Sequence, residues 1–346
     1  MSDLSTALDR LPDRRLAALE AIDVAHRLAL DCSRLRRSLD LVTARIENAL
    51  TERVLMHRLR KGLARAGDAT SAGTMLAALR QGYTSRGLET HVGAGVTSAR
   101  QPSTRAGDEA MRLAGNARAC LLYCPGGGFI LPPSRRQREA IADLAARTGL
   151  ALVLCDHRLA PEHPFPTAIE DVVAHYVHRT PDQDSAAHTF LGADTAGASI
   201  MMGALLTLRE RGHPMPAGII LFSPWCDLTL SGWSYIAQSA RSTSPFRMET
   251  AAFCARLYMA DADPRDARAS AIFAELHGLP PLLIFTSRDD LHFDDAVRLA
   301  ENGREADRSI RLNYWDTPRH QIERLGRRER GVTAHEVSRF VDRNLH

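Results

Sequence analysis

Short apolar runs alternate with helix-like stretches over the second two thirds of the chain. The runs are Ala119–Cys124, Ala151–Cys155, Thr189–Leu191, Gly218–Phe222, Leu282–Thr286 and Ile310–Tyr314. Stretches with helical periodicity lie between them, at Arg135–Arg147, Thr167–Val177, Ala198–Arg211 and Asp294–Glu305. This alternation predicts an α/β fold with a mostly parallel central sheet and helices on both faces. Ligands bind such sheets at the carboxyl ends of the strands, so the residues that follow each run are the candidates for chemistry.

The first part of the chain has a different pattern. No proline or glycine occurs between Pro12 and Gly62, and apolar residues recur at alternating steps of three and four. They form one helical stripe: Leu28, Cys32, Leu35, Leu39, Val42, Ile46 and Leu50. The stripe predicts a helix or helical hairpin packed on the domain, and its fit to two heptad positions leaves a dimerisation helix as the alternative. Residues 66–118 are weakly patterned, with at most poor edge strands. We therefore assign residues 1–85 to a helical N-terminal segment or cap and 86–346 to the α/β domain.

Composition excludes several classes of function. The 346 residues carry a formal net charge of only +3, which gives no reason to expect nucleic acid or an acidic membrane surface as a partner. No apolar run approaches the length of a membrane span, and the first 15 residues lack the apolar region of a secretory signal. The expectation is a cytoplasmic protein without a membrane span. The six cysteines show neither a C-x-x-C pair nor zinc-ligand spacing, and no phosphate-binding loop is present, so we expect no metal and no cofactor.

Three consecutive glycines follow the first strong strand, in the segment Pro125–Phe129. Glycines allow a backbone to approach a substrate closely and to direct its N–H groups at it. Such donors stabilise the oxyanion that forms when a carbonyl is attacked. A glycine triplet alone is equally consistent with a flexible turn.

The segment Gly192–Ala198 lies between the strand at Thr189–Leu191 and a helix. Strand, tight turn and helix together form the geometry of a nucleophile elbow, with Thr195 at its tip and the N–H of Ala196 beside it. Small residues at Ala193 and Gly197 allow the strand and the helix to pack closely. The alternative is an ordinary helix N-cap formed by Asp194 or Thr195.

Two further polar segments follow later strands. Ser287–Asp290 comes after the strand that ends at Thr286, and His320 comes after the strand that ends near Tyr314. A triad on this fold runs in the order nucleophile, acid and histidine along the chain. Thr195, Asp289 and His320 occur in that order, each after a predicted strand.

These segments resemble the hormone-sensitive-lipase-like carboxylesterases of the α/β-hydrolase superfamily. Pro125–Phe129 is similar to the His-Gly-Gly-Gly-Phe motif of that family, and Asp156–Pro166 matches its long stretch after the next strand. Gly192–Ala198 occupies the place of the Gly-Asp-Ser-Ala-Gly elbow, and Ser223–Thr229 and Gly278–Pro281 complete the pattern. The resemblance covers residues 115 to 345.

The resemblance implies an α/β-hydrolase fold and a role for each matching residue. Thr195 occupies the nucleophile position, His320 that of the general base, and Asp289 that of the residue that orients the base, with Asp290 as the alternative acid. The N–H groups of the first two glycines and of the residue after the nucleophile would form the oxyanion hole: Gly126, Gly127 and Ala196.

The chain departs from the family at three positions. Pro125 replaces the histidine before the glycines, and Ala193 replaces the first glycine of the elbow. Thr195 replaces the family's serine. Threonine nucleophiles exist, but the extra methyl group restricts χ1 and hinders both attack and the deacylating water.

Three hypotheses for the function follow. The first is an esterase-like hydrolase or acyl transferase that uses a Thr-His-Asp triad on an apolar ester or thioester. The second is a dehydratase, lyase or cyclase, in which His320 removes a proton and Thr195 only hydrogen-bonds the substrate. The third is a catalytically silent binding protein.

The segment Trp233–Tyr258, which contains Phe246, Met248 and Phe253, is expected to line the pocket together with the N-terminal helices. The expected ligand is an apolar small molecule, and a homodimer is the family-level expectation.

Overall fold

The computed structural model describes residues 96–99, 117–241, 246–306, 309–315 and 322–345. These residues all belong to one compact unit, Leu59–His346. The predicted N-terminal helix with its apolar stripe, the boundary at residue 85 and His320 lie outside the described residues.

Seven parallel strands among the described residues form the central sheet, in the order β1-β3-β2-β4-β5-β6-β7. Its strands are β1 Val96–Ala99, β2 Ala119–Cys124, β3 Leu150–Cys155, β4 Thr189–Asp194, β5 Gly218–Phe222, β6 Leu282–Ser287 and β7 Ile310–Trp315. Strands β2 to β6 are buried along their whole length, as continuous apolar runs predict. The fold class predicted from the sequence is confirmed.

Eight α-helices lie among the described residues. They are α1 Arg135–Thr148, α2 Thr167–Arg179, α3 Gln183–Ala187, α4 Ala196–Glu210, α5 Trp233–Arg241, α6 Met248–Met259, α7 Phe293–Glu305 and α8 Arg327–Asn344. Short 3₁₀ turns occur at Ala271–Phe273 and Ile322–Arg324. The four helices predicted from periodicity are found with ends that differ by at most two residues, which is the usual scatter of helix ends.

The helices cover the sheet on both faces. On one face, α1 and α8 pack on the sheet and on each other, and α8 contributes Val337 and Phe340 to the apolar core against Phe190. On the other face, α4 lies against β2 and β4 with α2 beside it, and α7 lies against β6 and β7. Burial on both sides holds the strand ends in fixed positions, so loops that leave neighbouring strands meet at one edge.

Four neighbouring strands carry the candidate segments at that edge. The glycine loop follows β2, the elbow follows β4, Ser223–Thr229 follows β5 and the acidic turn at Asp289 and Asp290 follows β6. Strands β2, β4, β5 and β6 are adjacent in the sheet. The topology thus brings together segments that are far apart in the sequence.

Candidate active site

Thr195 lies at the sharp turn between β4 and α4, with φ 45° and ψ −119°. Positive φ is costly for a β-branched residue, so the neighbouring structure must hold it in place. The Thr195 N–H donates to Phe222 O at 3.0 Å, and Thr195 O accepts the N–H of Ala198 at 3.0 Å and of Trp225 at 3.1 Å. The side chain makes no capping hydrogen bond to the helix. Thr195 therefore occupies the N-cap position of α4 without capping the helix through its side chain, and the sharp turn between strand and helix has the geometry of a nucleophile elbow.

Small residues make the elbow sterically feasible. A Cβ on Gly197 would overlap Cys124 O and lie 2.9 Å from Pro125 O. Ala193 is fully buried beside Cys124, its partner in β2. The predicted close packing of strand and helix around the elbow is observed.

The glycine loop lies directly against the Thr195 hydroxyl. A Cβ on Gly126 would overlap Thr195 Oγ1 and would lie 2.8 Å from Asp194 O. A Cβ on Gly127 would overlap Leu131 O, and Gly128 has φ 59°. Each of the three glycines thus meets a steric or conformational requirement, so the loop is built for close approach rather than being a flexible turn.

Asp194 connects the glycine loop to the elbow. This residue is 3% exposed, and its carboxylate accepts four hydrogen bonds. Tyr123 OH and Gly126 N lie 3.1 Å from Oδ1, Gln137 Nε2 lies 2.8 Å from Oδ2, and Thr195 Oγ1 lies 3.4 Å from Oδ2. We call these five residues the Asp194 cluster.

Burial raises the pKa of Asp194 to about 6, against the lowering effect of the four hydrogen bonds. Burial and then the neighbouring Asp194 raise the pKa of the Tyr123 phenol well above its ordinary value, so the phenol remains a hydrogen-bond donor. The cluster is therefore an acceptor carboxylate surrounded by neutral donors.

The Asp194 cluster corrects one predicted role. The sequence assigned Gly126 to the oxyanion hole, but its N–H donates to Asp194 and is occupied in this conformation. Gly126 instead ties the loop to the elbow. Ala196 is the first residue of α4, so its N–H has no acceptor within the helix. Among the described residues, no acceptor is found for the Gly127 N–H.

The acidic turn after β6 separates the two candidate acids. Asp289 is exposed, whereas Asp290 is 0% exposed. Asp290 Oδ1 accepts the N–H of His292 at 3.1 Å, and its Oδ2 has no hydrogen-bond partner within the described part of the chain. A buried carboxylate oxygen without a partner is costly, so this oxygen is suited to accept a donor such as an imidazole N–H.

Trp225 joins the loop after β5 to the elbow and the glycine loop. Its ring lies 5.2 Å from the Phe129 ring, stacks on His292 at 5.3 Å and meets Phe246 at 5.9 Å. Phe246 is also in van der Waals range of Gly128, where an added Cβ would lie 3.7 Å from Cε2. The wall beside the glycine loop is therefore aromatic and apolar.

The predicted pocket segment Trp233–Tyr258 contributes unevenly. Phe246 reaches the aromatic wall, and Phe253 is buried, with Arg256 over its ring. Trp233 is 70% exposed and faces solvent, so it does not line an enclosed site.

Asp295 is a buried residue that the sequence did not single out. Its Oδ2 accepts the N–H groups of Cys226 at 2.8 Å and Asp227 at 2.9 Å, and the Tyr235 hydroxyl at 2.8 Å. Burial, followed by the nearby Asp227, raises the pKa of Asp295 well above its ordinary value. It anchors the loop that carries Trp225. In the sequence, the one signal that Asp295 is buried is its position on the apolar face of α7.

A sequence model described as an alpha/beta hydrolase fold matches residues 121–324. The chain belongs to this α/β-hydrolase family. It is 34% identical over 209 residues to an acetyl-hydrolase of Streptomyces hygroscopicus, covering 60% of this chain and 69% of that protein. It is 29% identical over 208 residues to an esterase of Acinetobacter venetianus, covering 60% and 68% respectively.

Solved structures agree with this assignment. The crystal structure of a hormone-sensitive lipase from a metagenome library superimposes on this hydrolase with a TM-score of 0.63 and 32% identity, covering 67% of this chain and 78% of that one. The predicted resemblance to hormone-sensitive-lipase-like esterases is confirmed at the level of family and relatives.

In the part of the chain that the structure describes, no group of three or more His, Cys, Asp or Glu side chains is placed so that it could hold a metal ion. Within the same residues, no helix is both long enough and apolar enough to cross a membrane. The five described cysteines are free thiols and are buried.

Proposed function

We propose that this protein is a carboxylic-ester hydrolase that uses Thr195 as its nucleophile. The observation that carries the proposal is the backbone of Thr195, held at φ 45° at the tip of the elbow with its hydroxyl against the glycine loop. Such strain in a β-branched residue is maintained only where the surrounding structure fixes it, as it does at functional sites. The names of the relatives, acetyl-hydrolase and esterase, support the same class of reaction.

The proposed reaction has two half-reactions. Thr195 Oγ1 attacks the ester carbonyl carbon while His320 accepts the hydroxyl proton, and the N–H groups of Gly127 and Ala196 stabilise the oxyanion. The bond to the alcohol oxygen then breaks, and the alcohol leaves with the proton from His320. Water attacks the acyl-threonine with His320 as base again, which releases the acid and restores the hydroxyl group.

We assign the orienting acid to Asp290 in preference to Asp289. Asp290 is buried and retains an unpartnered oxygen, which a neutral imidazole N–H from His320 would satisfy. Asp289 is exposed. A carboxylate in water orients an imidazole poorly because solvent competes for the hydrogen bond.

The proposed substrate is an ester of a small apolar acid or alcohol. Phe129, Trp225 and Phe246 form an apolar wall beside the glycine loop, which favours hydrocarbon groups over sugars or phosphates. The Thr195 methyl group removes space at the reacting centre, so we expect turnover to be slow and to fall as the acyl group grows.

The two other hypotheses have weaker support. Elimination or cyclisation would use the same base and hole, and silent binding would need neither. The relatives named above are ester hydrolases, which favours hydrolysis over both.

The test is hydrolysis of p-nitrophenyl acetate, butyrate and octanoate by wild type, Thr195→Ser, Thr195→Ala and His320→Ala. We expect wild type to turn over the acetate ester, both alanine variants to be inactive, and Thr195→Ser to be faster by about tenfold or more, a factor that corresponds to ~1.4 kcal/mol of steric hindrance. A silent wild type with an active Thr195→Ser would show that hydrolysis is blocked by one methyl group and would favour the non-hydrolytic hypothesis. Activity that survives in Thr195→Ala would remove Thr195 as the nucleophile.

A further inference from the structure

The Thr195 hydroxyl lies against a carboxylate that belongs to its own elbow. Its Oγ1 is 3.4 Å from Asp194 Oδ2, and both atoms lie close to the Gly126 Cα, because a Cβ there would overlap Oγ1 and would lie 2.8 Å from Oδ2. The hydroxyl therefore occupies the space between the glycine loop and the buried carboxylate. A hydroxyl that donates its hydrogen to Asp194 does not offer that hydrogen to a general base.

Complementarity within the Asp194 cluster fixes the direction of this hydrogen bond. Among the described residues, each carboxylate oxygen has two hydrogen-bonding neighbours, Tyr123 and Gly126 at Oδ1, and Gln137 and Thr195 at Oδ2. The backbone N–H and the amide NH₂ group are donors only. An ionised Asp194 is an acceptor only, so the Thr195 hydroxyl must be the donor.

Gln137 is the residue that makes this arrangement rigid. It is buried at the start of α1, where its Oε1 accepts the Ser134 N–H at 3.3 Å in a capping box and its Nε2 donates to Asp194. Its Nε2 also lies 3.4 Å from Gly126 O, to which it donates. Both ends of the amide are thus used, and the amide cannot turn over without losing these three hydrogen bonds.

We propose that Asp194 is a positioning residue that holds the Thr195 hydroxyl as a donor to its own carboxylate, and that this contact restrains nucleophilic attack. The inference rests on the proposed function, since it concerns the same nucleophile. To react, the hydroxyl must leave Oδ2, which costs the hydrogen bond to a charged acceptor. Asp194 therefore assembles the loop and elbow and slows the nucleophile at the same time.

A swap of donor and acceptor within the cluster tests the proposal. In Asp194→Asn alone, the new NH₂ group faces the NH₂ group of Gln137, and both the fold and the activity should suffer. In the double variant Asp194→Asn with Gln137→Glu, the carboxylate introduced at position 137 accepts from the amide introduced at position 194. Net charge and side-chain size are then retained, and each contact at residue 194 again pairs a donor with an acceptor. The hydrogen bond that is lost is the 3.4 Å contact from Gln137 Nε2 to Gly126 O. The introduced NH₂ group would also donate to Thr195 Oγ1, which frees the hydroxyl hydrogen for the base.

The readout is the rate of modification by a p-nitrophenyl alkylphosphonate, with mass analysis of the peptide that contains residue 195. A Thr195 Oγ1–P bond forms, the bond from phosphorus to the aryl oxygen breaks, p-nitrophenolate leaves, and the hydroxyl proton goes to the base.

We expect the double variant to melt close to wild type and to be labelled about tenfold faster, a factor equivalent to ~1.4 kcal/mol. Gln137→Glu alone and Thr195→Ala serve as the mismatched and unreactive controls. A stable double variant labelled no faster than wild type would overturn the proposal.

A second measurement does not depend on the double variant folding. The titration of the Asp194 carboxyl carbon, followed by ¹³C NMR, should move to higher pH in Thr195→Val, which keeps the side-chain shape and removes the donor. An unmoved midpoint would show that the hydroxyl does not donate to Asp194 and would also overturn the inference. If wild type is neither labelled nor active on esters while the Thr195→Val midpoint does move, the proposed function fails although the contact exists.

Discussion

Two buried carboxyl groups lie at the same edge of the sheet, Asp194 at the end of β4 and Asp290 after β6, and they differ in how fully they are hydrogen-bonded. Asp194 is 3% exposed and accepts four hydrogen bonds, two on each oxygen. Asp290 is 0% exposed, and only its Oδ1 has a hydrogen-bond partner in the ranges that the structure describes. The first carboxylate is complete without a further group, whereas the second retains an acceptor.

The difference indicates different tasks. A fully satisfied carboxylate stabilises one arrangement of the backbone, here the glycine loop against the elbow, and contributes to activity through that arrangement. A buried oxygen without a partner costs free energy unless another group pairs with it, so it is a sign of function rather than of stability.

The largest expected effect comes from removing the charge of Asp290. Asp290→Asn should lower kcat for p-nitrophenyl acetate by about 10⁴-fold, the magnitude found when an orienting aspartate in a triad becomes asparagine. The reason is that an amide NH₂ group at Oδ2 cannot accept the imidazole N–H. Steady-state kinetics at a pH of about 8 is the measurement, where the imidazole is neutral, with circular dichroism to confirm folding.

Asp289→Asn is the matched control, because the same chemical change is made one residue earlier on an exposed side chain. It should leave kcat within about twofold, which corresponds to ~0.4 kcal/mol. If Asp289→Asn lowers kcat strongly and Asp290→Asn does not, the orienting acid is Asp289. The unpartnered oxygen of Asp290 would then not indicate a catalytic role.

The sequence predicted the sheet well because its strands are buried on both faces and read as continuous apolar runs. Gly218–Phe222 and Ala119–Cys124 have the predicted ends. Strand β4 continues past the predicted end at Leu191 to Asp194, because Gly192 and Ala193 pair with β5 through their backbones. Because the side chains of Gly192 and Ala193 are small, the apolar run in the sequence ends at Leu191 although the strand continues.

Helix α8 was not predicted. Its apolar positions Ala334, Val337 and Val341 have helical spacing, but most of the segment is charged or polar, which masks that spacing. The signal was present in the spacing rather than in the composition.

The order of motifs along the chain located the elbow, the glycine loop and the acidic turn, but not the contacts among them. Asp194 binds Tyr123 and Gln137, which are 71 and 57 positions away in the sequence. The one local signal was the capping box at Ser134 and Gln137, which predicts a helix start and says nothing of Asp194. Long-range hydrogen bonds depend on the register of β2 and β4, and no local pattern encodes that register.

A smaller effect is expected from Gly126→Ala, which tests whether the loop must lie against the elbow. The new Cβ would overlap Thr195 Oγ1 and crowd Asp194 O at 2.8 Å, so the loop must move and the oxyanion donors move with it. We expect kcat to fall by about 10² to 10³-fold, as when an oxyanion-hole donor is lost. Gly331→Ala in α8 is the control, since no atom of the described residues lies within 4 Å of its Cβ and helix propensity should add about 0.5–1 kcal/mol of stability. Unchanged activity in Gly126→Ala would mean that the loop does not shape the hole.

The smallest effect concerns the protonation of Asp194. Burial raises its pKa to about 6 in the folded protein, against about 4 for an unfolded aspartate. An acid whose pKa is raised by folding contributes stability that is present below a pH of about 4 and is lost as the pH rises through about 6. Relative to Asp194→Asn, which cannot ionise, wild type should therefore lose about 2 kcal/mol in free energy of unfolding between roughly pH 4 and pH 7.

Urea denaturation of both proteins across this pH range measures the difference. A difference in free energy of unfolding that stays constant with pH would show that the four hydrogen-bond donors offset the effect of burial completely. The pKa of Asp194 would then be that of an ordinary aspartate. A difference that grows as predicted would mean that the protein accepts a cost at neutral pH to keep a negative charge beneath Thr195, which is the charge that the restrained hydroxyl requires.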